Sequence, residues 1–209
     1  MPLHQNYFLL TYKLTIMNNT IKTPLAVILL LAISCKKENI NVQSPTVKQS
    51  TYKTLTFTIG QHYGGGIIFH IDSTGQHGLI AAVKDQSAGI QWYNGTYTTT
   101  GAIETALGTG KANTKKIITS QGRPGKYAAT KCANYQGNGF ADWFLPSKDE
   151  LSELYTQRAV VGGFAGGNYW SSSETATSAL SAYNLDFFDG SWHNNFKNTL
   201  HSVRAVRAF

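Results

Sequence analysis

The chain has 209 residues, of which 42% are hydrophobic and 12% aromatic, enough for one domain with a substantial core and too apolar for a disordered chain. Charged residues make up only 14%, against about 25% in an ordinary globular protein. The formal charge of +7 overstates the basic character of the domain: beyond residue 52 there are 13 basic and 10 acidic residues, a net of +3, which excludes the strongly basic balance of a nucleic-acid-binding protein.

From Met17 the chain reads "MNNTIKTPLAVILLLAISCKKEN", with one lysine, Lys22, in a short polar stretch, an apolar run from Pro24 to Ile33, and small Ser34 before Cys35. This is the layout of a secretory signal peptide. The apolar run is about half of the ~20 residues that a membrane span needs. A cysteine directly after the run resembles a bacterial lipobox, with Ala32 standing where leucine is usual. The resemblance implies that Cys35 becomes the first mature residue and carries acyl chains that anchor it in a membrane. Residues 1–16 are read as an extension before the true start, 17–34 as the signal peptide, 35–52 as a lipidated tether, and 53–209 as the folded domain. The expected location is the cell envelope, at the outer membrane or surface of a Gram-negative bacterium.

The domain begins with "TLTFTIG", whose Leu55, Phe57 and Ile59 alternate with threonines and predict a strand. "GGGIIFHID" and "LIAAV", separated by "STGQHG", predict a hairpin. Glycines 64–66 are followed by a strand rather than a helix, which points to close backbone packing and not to a phosphate loop. "GTGKANTKKIITSQG" fails the P-loop spacing, with Thr105 and Ala112 at positions that need Gly and Ser/Thr. Helices are expected over 102–119 and 126–135. A third starts at Ser147, its N-cap, with Glu150 completing a capping box, Asp149 favourable at the helix's positive end, and Leu151, Leu154 and Tyr155 forming a buried stripe. Asp149, Glu150 and Glu153 are thereby read as a capped, solvated helix face and not as a catalytic acid pair. Three β-like runs close the chain: "NYWSSSE", "AYNLDFF" and "SVRAVRA". Strands, then helices, then strands give an α+β class.

"GGGIIFHIDSTGQHGLIAA", "NGFADWFLPSKDELSELY", "YWSSSE" and "VRAVRAF", in this order, resemble the Legionella collagen-like protein C-terminal domain family over residues 58–209. The resemblance implies a C-type-lectin-like α+β domain with short antiparallel strands and two to three helices, shared distantly with the formylglycine-generating sulfatase modifiers. It implies an extracellular binding or adhesion module, with Trp170 in a core strand, and brings no catalytic residues with it.

Three features compete as a site. Calcium, possible in a lectin-like fold, would need hard oxygens such as those of Asp186, Asp189, Asn194 and Asn195. Asp189-Gly190 reads instead as a hairpin turn, so no cofactor is expected, and Asp186 and Asp189 are weak metal candidates only. Tyr183, Phe188, Trp192, His193, Asn194 and Asn195 around that turn are candidates for an aromatic platform lifted to a rim, where rings meet sugar C–H groups and amides meet hydroxyls; the alternative is that Phe188 and Trp192 are core. Between Glu104 and Asp142 there is no acid, while Lys111, Lys115, Lys116, Arg123, Lys126 and Lys131 are basic. Such a stripe suits sulfated polysaccharide or anionic lipid; the alternative is a solvated helix face. Cys132, on a predicted helix with no neighbouring base, is expected to be buried and unpaired. The sequence thus points to a non-catalytic module bound to the membrane through its lipid and recognising polysaccharide or a surface protein, with no nucleic-acid partner. An enzyme of the formylglycine-modifier type and a purely structural envelope protein are the alternatives.

Overall fold

The computed structural model describes residues 55–209 apart from residue 124. The leader, Cys35 and the tether therefore lie outside the described residues. The fold is α+β, with two sheets and four helices among the described residues.

The first sheet is built from β1 (His62–Tyr63), β2 (Gly66–Ile71), β3 (Gly78–Ala81) and, from the far end of the chain, β9 (Val206–Ala208), all antiparallel. The β2–β3 hairpin turns where "STGQ" places it: the Asp72 carboxylate accepts from the N–H and hydroxyl of Thr74, and Gly75 takes a φ of +72°. Close packing accounts for the glycine run. A Cβ at Gly66 would overlap the carbonyl oxygen of Ala81, and one at Gly65 would stand 2.8 Å from the Gly137 oxygen.

The second sheet has the order β4 (Ser87–Ile90), β8 (His201–Val203), β5 (Asn168–Glu174), β6 (Ser181–Asp186), β7 (Trp192–Phe196). All its pairs are antiparallel except β5 with β8. The helices α1 (Gly110–Gln121), α2 (Ala128–Ala133), α3 (Lys148–Thr156) and α4 (Arg158–Val161) fall between β4 and β5. One core group gathers Ile68, Ile80, Trp92, Ile117, Tyr127, Cys132, Leu145 and Trp170; a second joins Phe69, Leu79, Leu151, Leu154, Tyr169, Leu185 and Phe187 under α3.

The expected strand over "TLTFTIG" does not form. The chain turns at Thr58–Gln61, the Gln61 N–H reaching the Thr58 oxygen at 3.1 Å, and the two-residue β1 takes the outer edge of β2. Phe57 is instead held against Tyr63 and Phe209, each ring centroid 4.8 Å away, while Leu55 is exposed. The first helix starts eight residues later than expected. Residues 102–105 are tied down as a loop by Glu174 N–H on the Ala102 oxygen, Ser173 Oγ on the Glu104 oxygen and Asp149 N–H on the Thr105 oxygen. β4 and α4 carry no periodicity that sequence reading detects.

α3 has the expected cap. Ser147 Oγ accepts from Glu150 N–H, and the Glu150 carboxylate accepts from Ser147 N–H at 2.8 Å. The expectation of a solvated acid fails at Glu150, which is fully buried. Its other oxygen accepts from Gly108 and Gly110, so it also caps α1, whose N-cap Thr109 makes no side-chain cap bond. Burial pushes the carboxyl's pKa up, against the backbone N–H groups that pull it down.

"SVRAVRA" is two strands. β8 runs in the second sheet and β9 in the first, and Arg204 lies at the crossing. Its guanidinium is fully buried: Nε donates to Asp85 at 2.7 Å, Nη1 to the oxygens of Ala82 and Gly162, and Nη2 to that of Gly163, with the Phe164 ring 4.0 Å away. Arg207 pairs with Asp142, whose side chain is 41% exposed, and stacks on Phe140. Removing one member of a buried ion pair costs about 3–5 kcal/mol, and exposed pairs are worth about 1 kcal/mol or less. In urea denaturation Arg204→Ala is expected to lower stability by that larger amount and Asp142→Ala by much less; equal losses would contradict the central role of Arg204.

Candidate functional site

The six basic residues converge. Lys111, Lys115 and Lys116 project from α1, Arg123 and Lys126 from the connection to α2, and Lys131 from α2 itself, and all six are exposed. The burial of Asn113, Thr114, Ile117 and Gln121 against the core fixes which side of α1 faces outward. Lys111, Lys115 and Arg123 rim a cavity of about 250 Å³ with Ile118, Ala133 and Trp143 among its walls. Arg123 and Lys126 line a neighbouring depression, Lys115 and Lys116 another, and Lys131 joins Lys84 in a fourth. None of the six lies within ion-pair distance of a carboxylate among the described residues. Asp142 is the acid at the rim, and its pairing with Arg207 holds its carboxyl below the usual range.

The residues of the expected aromatic platform are divided. "WHNN" is not a rim loop but β7, the edge strand of the second sheet. Because side chains alternate along a strand, the register puts Trp192 beside Leu185 and Asn194 beside Tyr183 on one face, and His193 beside Asn184 and Asn195 beside Ala182 on the other. On the second face His193 Nε2 lies 2.8 Å from Ser191 Oγ, and Asn195 Nδ2 3.0 Å from Nε2 of His201. His201 is buried beside Trp170, and burial draws its pKa down to about 4. Phe188 stands apart at the turn, 87% exposed. Trp192 and Tyr183 are half-buried, with Trp192 packed against the second core group.

Between these two rings sits a residue that sequence reading passed over. The ammonium of Lys148 lies 5.0 Å from the Tyr183 centroid and 5.1 Å from that of Trp192. Its signal was a lysine directly after an N-cap serine, where the helix dipole disfavours a cation.

Asp186 and Asp189 serve the turn. Asp186 Oδ1 accepts from Phe188 N–H and Asp189 Oδ1 from Ser191 N–H, each at 2.8 Å, and Gly190 has a φ of +81°. Trp170 and Ser171–Ser173 are core. The Trp170 indole donates to the Ile90 oxygen and Ser171 Oγ to that of Tyr183, while Ser173 Oγ binds the Glu104 oxygen.

A small α+β domain whose first hairpin and last strand close one sheet, with an exposed basic helical face, is thereby defined. Residues 81–207 match the family model described as the Lcl C-terminal domain, and the chain belongs to that family. Among solved structures, a fimbrial protein from Bacteroides ovatus ATCC 8483 is similar at 14% identity and a TM-score of 0.38, over 62% of this chain and 35% of that one. The chain spans about a third of that protein's length, and the score is too low for a shared fold to be read from it. No curated protein matches the chain.

Cys132 has no disulfide partner among the described residues and is fully buried, which pushes its thiol well above the usual range. Only the thiolate is nucleophilic. A thiol reagent is therefore expected to label Cys132 after denaturation and not in the native protein, the product being located by peptide mass; rapid native labelling would favour an enzyme of the formylglycine-modifier type.

Proposed function

We propose that this is a lipid-anchored envelope protein whose α+β domain, of C-type-lectin-like architecture, binds an anionic polysaccharide on the α1–α2 face without catalysis. The observation that carries the reading is the placing of five exposed cations, none paired with an acid among the described residues, around three adjoining depressions, the first of which has an aromatic and aliphatic wall; the sixth, Lys131, lines a fourth. A solvated helix face explains lysines; it does not by itself explain why cations of α1 and of its connection to α2 rim adjoining depressions. Cations supply attraction to sulfate or carboxylate groups, and the half-buried Ile118 beside them supplies apolar contact for a sugar body. Membership of the Lcl C-terminal domain family supports a binding role. The buried, unactivated Cys132 supports the non-catalytic part, and the joining of the first hairpin and last strand supports the lectin-like architecture.

The test is binding of the full chain to immobilised sulfated and neutral polysaccharides at two salt concentrations. Screening acts beyond about 8 Å at physiological ionic strength, so binding is expected to prefer the sulfated polymer, to weaken steeply with salt, and to weaken further in Lys115→Ala/Lys116→Ala. Salt-independent binding, or none to any polyanion, would overturn the reading in favour of a protein partner or a structural role.

The anchor is tested separately. Cys35 is proposed as the acylated residue because it follows the apolar run at the position a lipobox requires. Palmitate should label the protein and send it into the detergent phase, and Cys35→Ala should abolish both; labelling that survives the substitution would remove the anchor.

A further inference from the structure

Lys148 has an odd position. As the first residue of α3 it faces the positive end of the helix dipole, which disfavours a cation. Its backbone N–H is fixed by Ser173 Oγ at 3.0 Å, so the root of the side chain is held by the core strand β5. Its ammonium is directed to the sheet face of β6 and β7, between Tyr183 and Trp192, whose rings lie 6.4 Å apart and nearly perpendicular at 86°. Asn194, directly opposite Tyr183 in the register, is exposed on the same face. No carboxylate lies within ion-pair distance of Lys148 among the described residues.

A cation held over two rings keeps hydrogen-bond donors free, because an ammonium has three and a π face is not a directional acceptor. An ammonium with spare donors, an indole beside it and an exposed carboxamide two residues along form a set of complementary groups. The ammonium takes a carboxylate, the ring takes the C–H face of a pyranose, and the carboxamide takes its hydroxyls. We propose that Lys148, Tyr183, Trp192 and Asn194 form a second binding site, for a uronic-acid unit of a polysaccharide, with the sugar's carboxylate on Lys148 and its ring against Trp192. A neutral sugar would leave the ammonium's spare donors to water. The site belongs to α3, β6 and β7 and is independent of the α1–α2 face.

The experiment titrates the full chain with oligogalacturonate, with the neutral galacto-oligosaccharide of equal length, and with hexaglutamate, following the indole N–H resonance of Trp192 (assigned with Trp192→Phe) and the binding heat. Oligogalacturonate is expected to shift that resonance and to bind about tenfold tighter than the neutral oligomer. Lys148→Met should erase the difference at the Trp192 resonance and Asn194→Ala should weaken both sugars there, whereas Lys115→Ala/Lys116→Ala, which removes cations of the α1–α2 face, should lower only the binding heat of oligogalacturonate and leave its shift of the Trp192 resonance in place. Lys148→Met reads the site even where Trp192→Ala disturbs folding, since Trp192 also packs on the core. The proposal is overturned if neither sugar moves the Trp192 resonance, if Lys148→Met keeps the preference for uronate, or if hexaglutamate binds as well, which would make the site one for acidic peptide. Loss of uronate binding only in Lys115→Ala/Lys116→Ala would assign it to the other face.

Discussion

The buried guanidinium of Arg204 is the constraint on which the two sheets depend. The chain's last run has to leave the second sheet as β8 and enter the first as β9 within two residues, and a crossing of that kind strips carbonyls of their ladder partners. Arg204 accepts that role because its planar fork carries five donors in fixed directions. Three of its contacts are to backbone oxygens, on Ala82, Gly162 and Gly163, and the fourth is to Asp85. Asp85 in turn accepts from the Tyr169 hydroxyl, so one ion pair connects the end of β3, the α4–β5 loop, β5 and the C-terminal crossing. A lysine there would offer one point charge with no fork to span the loop.

Such crossings limit what a sequence can disclose. "SVRAVRA" has strand periodicity throughout, and nothing in the pattern marks Arg204–Ala205 as the place where one sheet ends; only the destination of a long-range hydrogen bond does. The same holds for "WHNN", which follows an Asp-Gly turn correctly read as a hairpin but continues as strand β7, so alternation sends neighbouring candidates to opposite faces. Features governed by local chemistry were legible, namely the Ser147–Glu150 capping box, the Asp189-Gly190 turn and the buried Cys132, while the core position of Trp170 came from the family resemblance. Glu150 shows the boundary between the two kinds. Its capping bond to Ser147 is local, whereas its bonds to Gly108 and Gly110 join α3 to α1 across some forty residues and turn an expected surface acid into a buried one. The basic residues were found because a charge run is visible without knowing the fold; Lys148 was missed because the rings that give it meaning come from β6 and β7.

The exposed basic face depends on where the fold places its acids. Most acids of the domain have partners of their own: Asp85 with Arg204, Asp142 with Arg207, Glu174 with Lys197, Glu150 at two helix starts, and Asp72, Asp186 and Asp189 in surface turns. The Glu174–Lys197 pair is fully buried, with Lys197 also over the Trp92 ring and Glu174 accepting from Thr100 and Gly101. A carboxylate paired with a cation is largely cancelled in the field outside, whereas one held only by neutral N–H and O–H groups keeps its charge. The lysines of α1 and α2 have no such partners, so a modest net charge of +3 beyond residue 52 becomes a concentrated positive surface on one side. Composition alone understates this field, since it counts the internal acids as though they stood beside the external bases. Lys197, Arg204 and Arg207 are cancelled by their acids, while the six cations of the α1–α2 face have no carboxylate at ion-pair distance among the described residues, so the field there is set by where the fold places its carboxylates as well as by how many cations the chain carries.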